Sequence, residues 1–423
     1  MSFELNKYVN INRRKLRNGL DVVILYNPKA PIVSMNLSYK VGSKDEKYGR
    51  RGFAHLFEHL MFEGSQHVPK GEFDKICSSA GGTNNAYTTY DYTAYTMTIP
   101  SHQLELALWL ESDRMFFSDI SINALETQKK VVTEEILQTV ENQPYGRWRE
   151  YLASNAYSEK SSYSWEVHGS KDDVASSSLE DVNDFFRTFY NPANACLVLA
   201  GDCKPQSTFD LVEKYFGFDG KNNSIIRNNF LPEYKLFGQN ITTFDNVPLA
   251  ASFISFHCED FLSEKLYSAD VLSYIVGTGK SSELYKNLVY DKQVASQVGA
   301  FVDKREHTSL LTFYAVANSP EVNADVLYYE IKAELNKIKD GSIEFELLEK
   351  SKNQLLSQMA NEIQYSSGLA DMIGNFTLFW DNPDLIFSVL DKYNQVEDSS
   401  IIALANEYLN FDKAIRVDVL AKG

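Results

Sequence analysis

"RGFAHLFEHLMFEGS", residues 51–65, holds two of the chain's seven histidines four positions apart, with a glutamate between them. At about 100° per residue on an α-helix, His55 and His59 lie roughly 40° apart on one face, and Glu58 falls about 60° to the other side of His55. The three side chains then share a single arc of about 100°. Two imidazoles one turn apart suit a zinc ion, and a carboxylate beside them can handle the proton of an attacking water. The competing account is an ordinary helix with two surface histidines. With seven histidines in 423 residues, chance produces H-x-x-E-H on the order of once per hundred such sequences, which favours the metal.

A catalytic zinc usually takes three protein ligands and keeps a fourth position open. The segment "TQKKVVTEEILQ" (127–138) offers Glu134 and Glu135 on an expected helix, and Glu63 and Glu111 are also available. Spacing alone does not choose among them. The other five histidines, His67, His102, His168, His257 and His307, show no paired ligand spacing and read as ordinary polar residues.

On either side of the motif helix the chain alternates strands and helices. "LDVVILYNP" (20–28) and "VSMNLSYKVGS" (33–43) are rich in β-branched residues and precede it; "DYTAYTMTIP" (91–100) follows as a strand ended by Pro100. Helical periodicity covers 102–118 and then 123–156, with an interruption near Pro144. "SLEDVNDFFRTFY" (178–190) is a helix, "ACLVLAGD" (195–202) a buried strand and "STFDLVEKYFG" (207–217) a helix closed by Gly217. Beyond the polar stretch 219–229 the order begins again: strand 250–257, helix 264–279, strand 310–319, helix 323–341, a long helical stretch from 343 to about 380, helix 401–410 and strand 414–421. The expectation is an α+β protein of two duplicated domains, each a mainly antiparallel sheet packed with helices. Residues 1–220 form the metal-bearing domain, 221–235 a linker, and 236–423 a homologous domain that lacks the histidine pair.

Composition narrows the function classes. Hydrophobic residues at 44% and charged residues at 23% describe a globular chain rather than a disordered one. A net charge of −16 argues against nucleic acid as a partner, which needs a basic face. No apolar run approaches the roughly 18 residues of a membrane span. The four cysteines lack C-x-x-C spacing and read as free thiols. With no apolar leader in "MSFELNKYVNINRRKLRNG", the expected compartment is the cytoplasm.

"HLFEH", followed 76 positions later by the second glutamate of "VVTEEI", resembles the pitrilysin, insulysin and mitochondrial processing peptidase family, zinc peptidases of the inverted H-x-x-E-H type. "GGTNNAYTTYDYTAYTMTIP" (81–100), "FYNPANACLVLAGD" (189–202) and "GTGKSSELYKNLVYDKQVA" (277–295) are similar to further stretches of that family, so the likeness spans nearly the whole chain. Its length matches the family's two-domain branch, whose members pair into a clamshell. The resemblance implies that His55, His59 and Glu135 ligate one Zn2+ per chain, that Glu58 is the general base, and that Asn85 and Ala86 bind a peptide substrate by strand addition.

The same resemblance exposes two departures. Seven residues before Glu135 the family often has a glutamate that supports the metal; here it is Gln128, whose amide can still hydrogen-bond a ligand carboxylate or a histidine N–H. In self-sufficient members the second domain supplies an arginine and, seven residues later, a tyrosine that stabilise developing charge. The matching positions are Val289 and Ser296, and Glu283 stands where an arginine is common. The chain therefore reads as the zinc-bearing subunit of a heterodimeric peptidase acting on short or unfolded peptides, with a sister subunit supplying the missing pair. The rivals are a homodimeric peptidase using Tyr290 or Tyr285 instead, and a scaffold subunit without catalysis.

Overall fold

The computed structural model describes residues 10–218, 225, 233–235, 237–341 and 343–422. The chain divides into two compact units: Met1–Ile136 with Val167–Asn229 and Ala360–Val389, and Leu137–Glu166 with Phe230–Met359 and Leu390–Gly423. Most of the linker expected at 221–235 lies outside the described residues.

The first unit holds a six-stranded sheet made of β1 (Ile11–Lys15), β2 (Asp21–Tyr26), β3 (Ile32–Tyr39), β4 (Thr83–Thr88), β5 (Thr93–Pro100) and β6 (Ala195–Gly201), in the order β1-β2-β6-β3-β5-β4. Only β2 and β6 run parallel; the remaining neighbours are antiparallel. The second unit holds β7 (Gln239–Asp245), β8 (Ala251–Cys258), β9 (Ala295–Asp303), β10 (Ser309–Ala317) and β11 (Ile415–Ala421), in the order β7-β11-β8-β10-β9. There β7 and β11 are the parallel pair, and the other neighbours are antiparallel. Strand for strand, β7 to β11 repeat the order and sense of β2 to β6. The duplication expected from the succession of elements is thus present in the sheets, with β1 as an addition to the first.

Burial follows position in the sheet. β6, "ACLVLAG", is buried at every residue, as a central strand covered on both faces requires. β4, "TNNAYT", lies at the edge and is exposed or half-buried throughout. β1, "INRRK", carries no apolar alternation and is held instead by its turn, where Leu16 N–H donates to Leu20 O at 2.9 Å across Gly19 at φ 93°. Strands β1, β4, β7 and β9 were not singled out from periodicity. Each is a polar or mixed edge segment whose pairing supplies what its composition does not.

Two long helical stretches are interrupted; the first breaks where the chain passes between units, and the second passes between them inside its first helix, at Met359–Ala360. The first is a helix Ile122–Ile136, a π-helical turn Leu137–Glu141 and a helix Trp148–Ala156, with Tyr145 at φ 63° after Pro144. The second is Phe345–Gln364 followed by Ser366–Trp380, interrupted at Tyr365, which is extended. Helix Ser366–Trp380 packs on β3 and β6 of the first sheet; Asn36 Nδ2 donates to Asp371 Oδ1 at 2.8 Å, and the Ser34 and Ser366 hydroxyls lie 2.8 Å apart. The units are therefore not two contiguous halves, although the strands of each sheet stay on their own side of 219–238. Among the described residues no helix is long and apolar enough to cross a membrane, and all four cysteines are buried and free.

Candidate metal centre

The motif helix spans Phe53–Leu60 and buries Phe53, Ala54, Leu56, Phe57 and Leu60. Phe57 packs against Phe185, Phe186 and Tyr190, with centroids 5.6, 5.7 and 4.4 Å away. This apolar face fixes the rotation of the helix and leaves His55, Glu58 and His59 on the other side. Its start is held by the buried carboxylate of Glu46, which accepts from Gly52 N–H at 2.9 Å and Ala54 N–H at 2.8 Å. An acidic group there meets the orphan donors and the positive end of the helix dipole. Gly52 has φ 92°, and a Cβ on it would lie 2.6 Å from the His168 carbonyl oxygen, so this position needs glycine.

His55 Nε2 and His59 Nε2 lie 3.4 Å apart. Glu135, in the last turn of helix Ile122–Ile136, places Oε1 3.7 Å from His55 Nε2 and Oε2 3.3 Å from His59 Nε2. A ligand atom from each of the three falls within 4.8 Å of the other two, and they are the metal-ligand cluster found among the described residues. Ligand bonds of about 2.0–2.1 Å at a tetrahedral angle put neighbouring ligand atoms roughly 3.4 Å apart, so the two imidazole nitrogens stand at the length of one edge of a zinc coordination shell, with one Glu135 oxygen near each of them. Burial, with the neighbouring His59 and then His168, pushes the His55 imidazolium down to about 3, leaving the ring neutral as a ligand must be.

The rival third ligands are engaged or turned elsewhere. Glu111 is fully buried and pairs with Arg114 through bonds of 2.7 and 2.6 Å. Glu63 pairs with Lys70 and accepts from Gln128 Nε2 at 2.6 Å. Glu134 is exposed and stands outside the trio. Gln128 thus departs from the expectation that its amide bonds a ligand carboxylate or a histidine: its hydrogen bond satisfies the buried Glu63 instead.

Glu58 stands on the same helix with Oε2 accepting from the Thr88 hydroxyl at 2.6 Å. Burial raises its carboxyl to about 7; the Thr88 bond pulls against this, and the charge of Glu135 adds to it. A carboxyl poised near neutrality is suited to taking and returning a proton. Asn85 and Ala86 lie on β4, opposite Thr96 and Tyr95 of β5. β4 closes the sheet order, so its other backbone edge has no strand partner among the described residues.

Glu46 and Thr88 were not found from sequence. Glu46 precedes its helix without cap spacing, and Thr88 reaches Glu58 from another element, so neither leaves a local pattern. In the second unit, Val289 lies in a π-helical turn Tyr285–Asp291, and Ser296 on β9 donates to Ala317 O at 2.8 Å. Of the histidines read as ordinary, His67 pairs with Asp113 through Nδ1 at 2.5 Å, and His257 Nε2 lies 3.0 Å from Ala156 O.

Residues 21–165 match the family described as Insulinase (Peptidase family M16), and residues 176–355 the one described as Peptidase M16 inactive domain. The zinc protease PqqE of Helicobacter pylori is 30% identical over 93% of this chain and 89% of its own length. A crystal structure of a protease from Helicobacter pylori has a TM-score of 0.92 at 27% identity, covering 98% of this chain and 100% of that one. The mitochondrial-processing peptidase subunit beta of Saccharomyces cerevisiae is 23% identical over 93% of this chain and 87% of its own. The sheets, the inverted motif and these relatives lead to one placement: the chain belongs to peptidase family M16, the insulinase family.

Proposed function

We propose that the chain is a zinc metallopeptidase subunit that hydrolyses short or unfolded peptides. The observation that carries this reading is the convergence of His55, His59 and Glu135 within 4.8 Å of one another, with Glu58 beside them. In this reading these three side chains hold the metal: two neutral imidazoles and one carboxylate, a donor set suited to zinc. A zinc ion held there supplies a Lewis acid that polarises a carbonyl and acidifies water near neutral pH. Glu58 takes the proton of the attacking water as the C–O bond forms, then returns it to the nitrogen as the C–N bond breaks, so the amine leaves neutral. The free edge of β4, at Asn85 and Ala86, receives the peptide as an added strand, through main-chain bonds that ask little of its side chains.

Val289 and Ser296 offer no cation and no phenol where self-sufficient relatives carry an arginine and a tyrosine. The reading is therefore the zinc-bearing member of a heterodimer, consistent with a relative named as subunit beta. The half 1–220 carries the chemistry, and 236–423 is its counterpart without the motif. Loss of one charge-stabilising donor typically lowers turnover by about 10² to 10³, so the isolated chain should bind zinc and turn over slowly.

The test is hydrolysis of a quenched library of unstructured peptides by the zinc-loaded chain, with Glu58→Gln as control. Zinc at one per chain, with turnover recovered on adding a homologous chain that carries the arginine and tyrosine, is the expected result. Robust turnover by the chain alone that vanishes in the variant would refute the heterodimer and favour a homodimer. Absence of bound zinc would refute the metallopeptidase.

A further inference from the structure

Thr88 is the last residue of β4 and pairs across the hairpin with Thr93, the first residue of β5. The turn is closed by Thr89 N–H donating to Tyr92 O at 2.8 Å. Thr93 in turn pairs with Tyr39 of β3, and its hydroxyl donates to Val41 O at 2.9 Å. The position of the Thr88 hydroxyl is therefore set by three strands rather than by a loose loop. It donates to Glu58 Oε2 at 2.6 Å, while the Thr93 hydroxyl lies 3.4 Å away on its other side. Glu58 Oε1 accepts no hydrogen bond from the described residues.

The terminal torsion of a glutamate is broad, so an untethered carboxylate samples many orientations. A tether on one oxygen selects among them, and a base is effective only within hydrogen-bond reach of the proton it takes. We propose that Thr88 is a positioning residue: its hydroxyl holds Glu58 Oε2 and so directs Oε1 to the water and peptide at the His55–His59–Glu135 trio. This rests on the reading of Glu58 as the general base. It adds a structural link, since Thr88 lies on the same strand as Asn85 and Ala86, and the strand offered to the peptide is also the strand that holds the base. Main-chain pairing does not need the hydroxyl. Its removal should therefore lower kcat and leave KM in place.

The test compares Thr88→Val, which keeps the branched shape without the donor, with Thr88→Ser, which restores the donor on a smaller side chain. Turnover of the quenched peptide is measured on the chain, with its sister subunit where one is required. Zinc affinity is measured by chelator competition and stability by thermal unfolding. Binding of acetohydroxamic acid to the zinc-loaded chain is a readout independent of turnover, because a carboxylate held beside the metal accepts this chelator's proton and strengthens its binding.

Thr88→Val is expected to lower kcat and hydroxamate affinity roughly 10- to 100-fold, the range for groups that orient a site's reacting residues. KM, zinc affinity and Tm should stay near wild type, and Thr88→Ser should recover most of the loss. Wild-type turnover and hydroxamate binding in Thr88→Val, with both lost in Glu58→Gln, would overturn the positioning role. So would an equal loss in both Thr88 variants, or a loss that tracks zinc affinity or Tm, since these mark a merely structural contact. Full activity in Glu58→Gln would instead overturn the general base itself, a failure distinct from that of Thr88.

Discussion

Glu58→Gln should make the metal-free protein more stable, and only above the acid range. Burial raises the folded-state carboxyl from 4.5 to about 7. Between these values the folded state keeps a proton that the unfolded chain has released, so stability falls as pH rises. The contribution is intact below about 4.5 and is lost once pH has passed 7. At 1.36 kcal/mol per pH unit, the loss amounts to about 3 kcal/mol. Glutamine accepts the Thr88 hydrogen bond through its carbonyl and never ionises, so it avoids the loss. Neutral burial of His55 acts in the opposite sense below pH 6.5, but it is common to both proteins and drops out of their difference. The assay is urea unfolding of the chelator-stripped wild type and variant at several values between pH 4.5 and 8. The two curves should nearly coincide at pH 4.5, and the variant should lead by about 3 kcal/mol at pH 8. With zinc restored the gap should shrink, because a neighbouring cation favours the carboxylate. A gap independent of pH would refute the assignment of a desolvated, protonated Glu58.

Glu135→Gln should weaken zinc binding by more than about 100-fold, a loss larger than that from disturbing an outer partner, whereas Glu134→Gln should leave it near wild type; chelator competition on both variants separates the two neighbours. Gly52→Ala should destabilise the first unit by about 1–3 kcal/mol from its left-handed backbone alone. The clash with the His168 carbonyl should add to this and reduce zinc affinity as the motif helix shifts, as urea unfolding and zinc titration would record.

The motif and the duplicated strand order were legible because they are local or repeat along the chain. His55, Glu58 and His59 sit on one helix, where spacing by itself fixes their common face. β2, β3 and β6 announce themselves through apolar runs, since central strands are buried on both sides. β1, β7 and β9 were missed, and β4 was reached only through the family resemblance, because edge strands draw their order from pairing rather than from composition.

Sequence by itself determined the helical arc of the motif, the α+β class and the two successive series of elements, because each depends on short-range periodicity. Spacing left Glu63, Glu111, Glu134 and Glu135 open as the third ligand, and resemblance to a family singled out Glu135. Tertiary structure brought Glu135 to within 3.3 Å of His59 and gave Glu63 and Glu111 to Lys70 and Arg114. It also decided that Ala360–Val389 belongs with the first unit and Leu137–Glu166 with the second, and that Thr88 meets Glu58. These are encounters between residues far apart in the chain. No periodicity encodes them; they exist only once apolar faces have packed and fixed the distances between helices and strands.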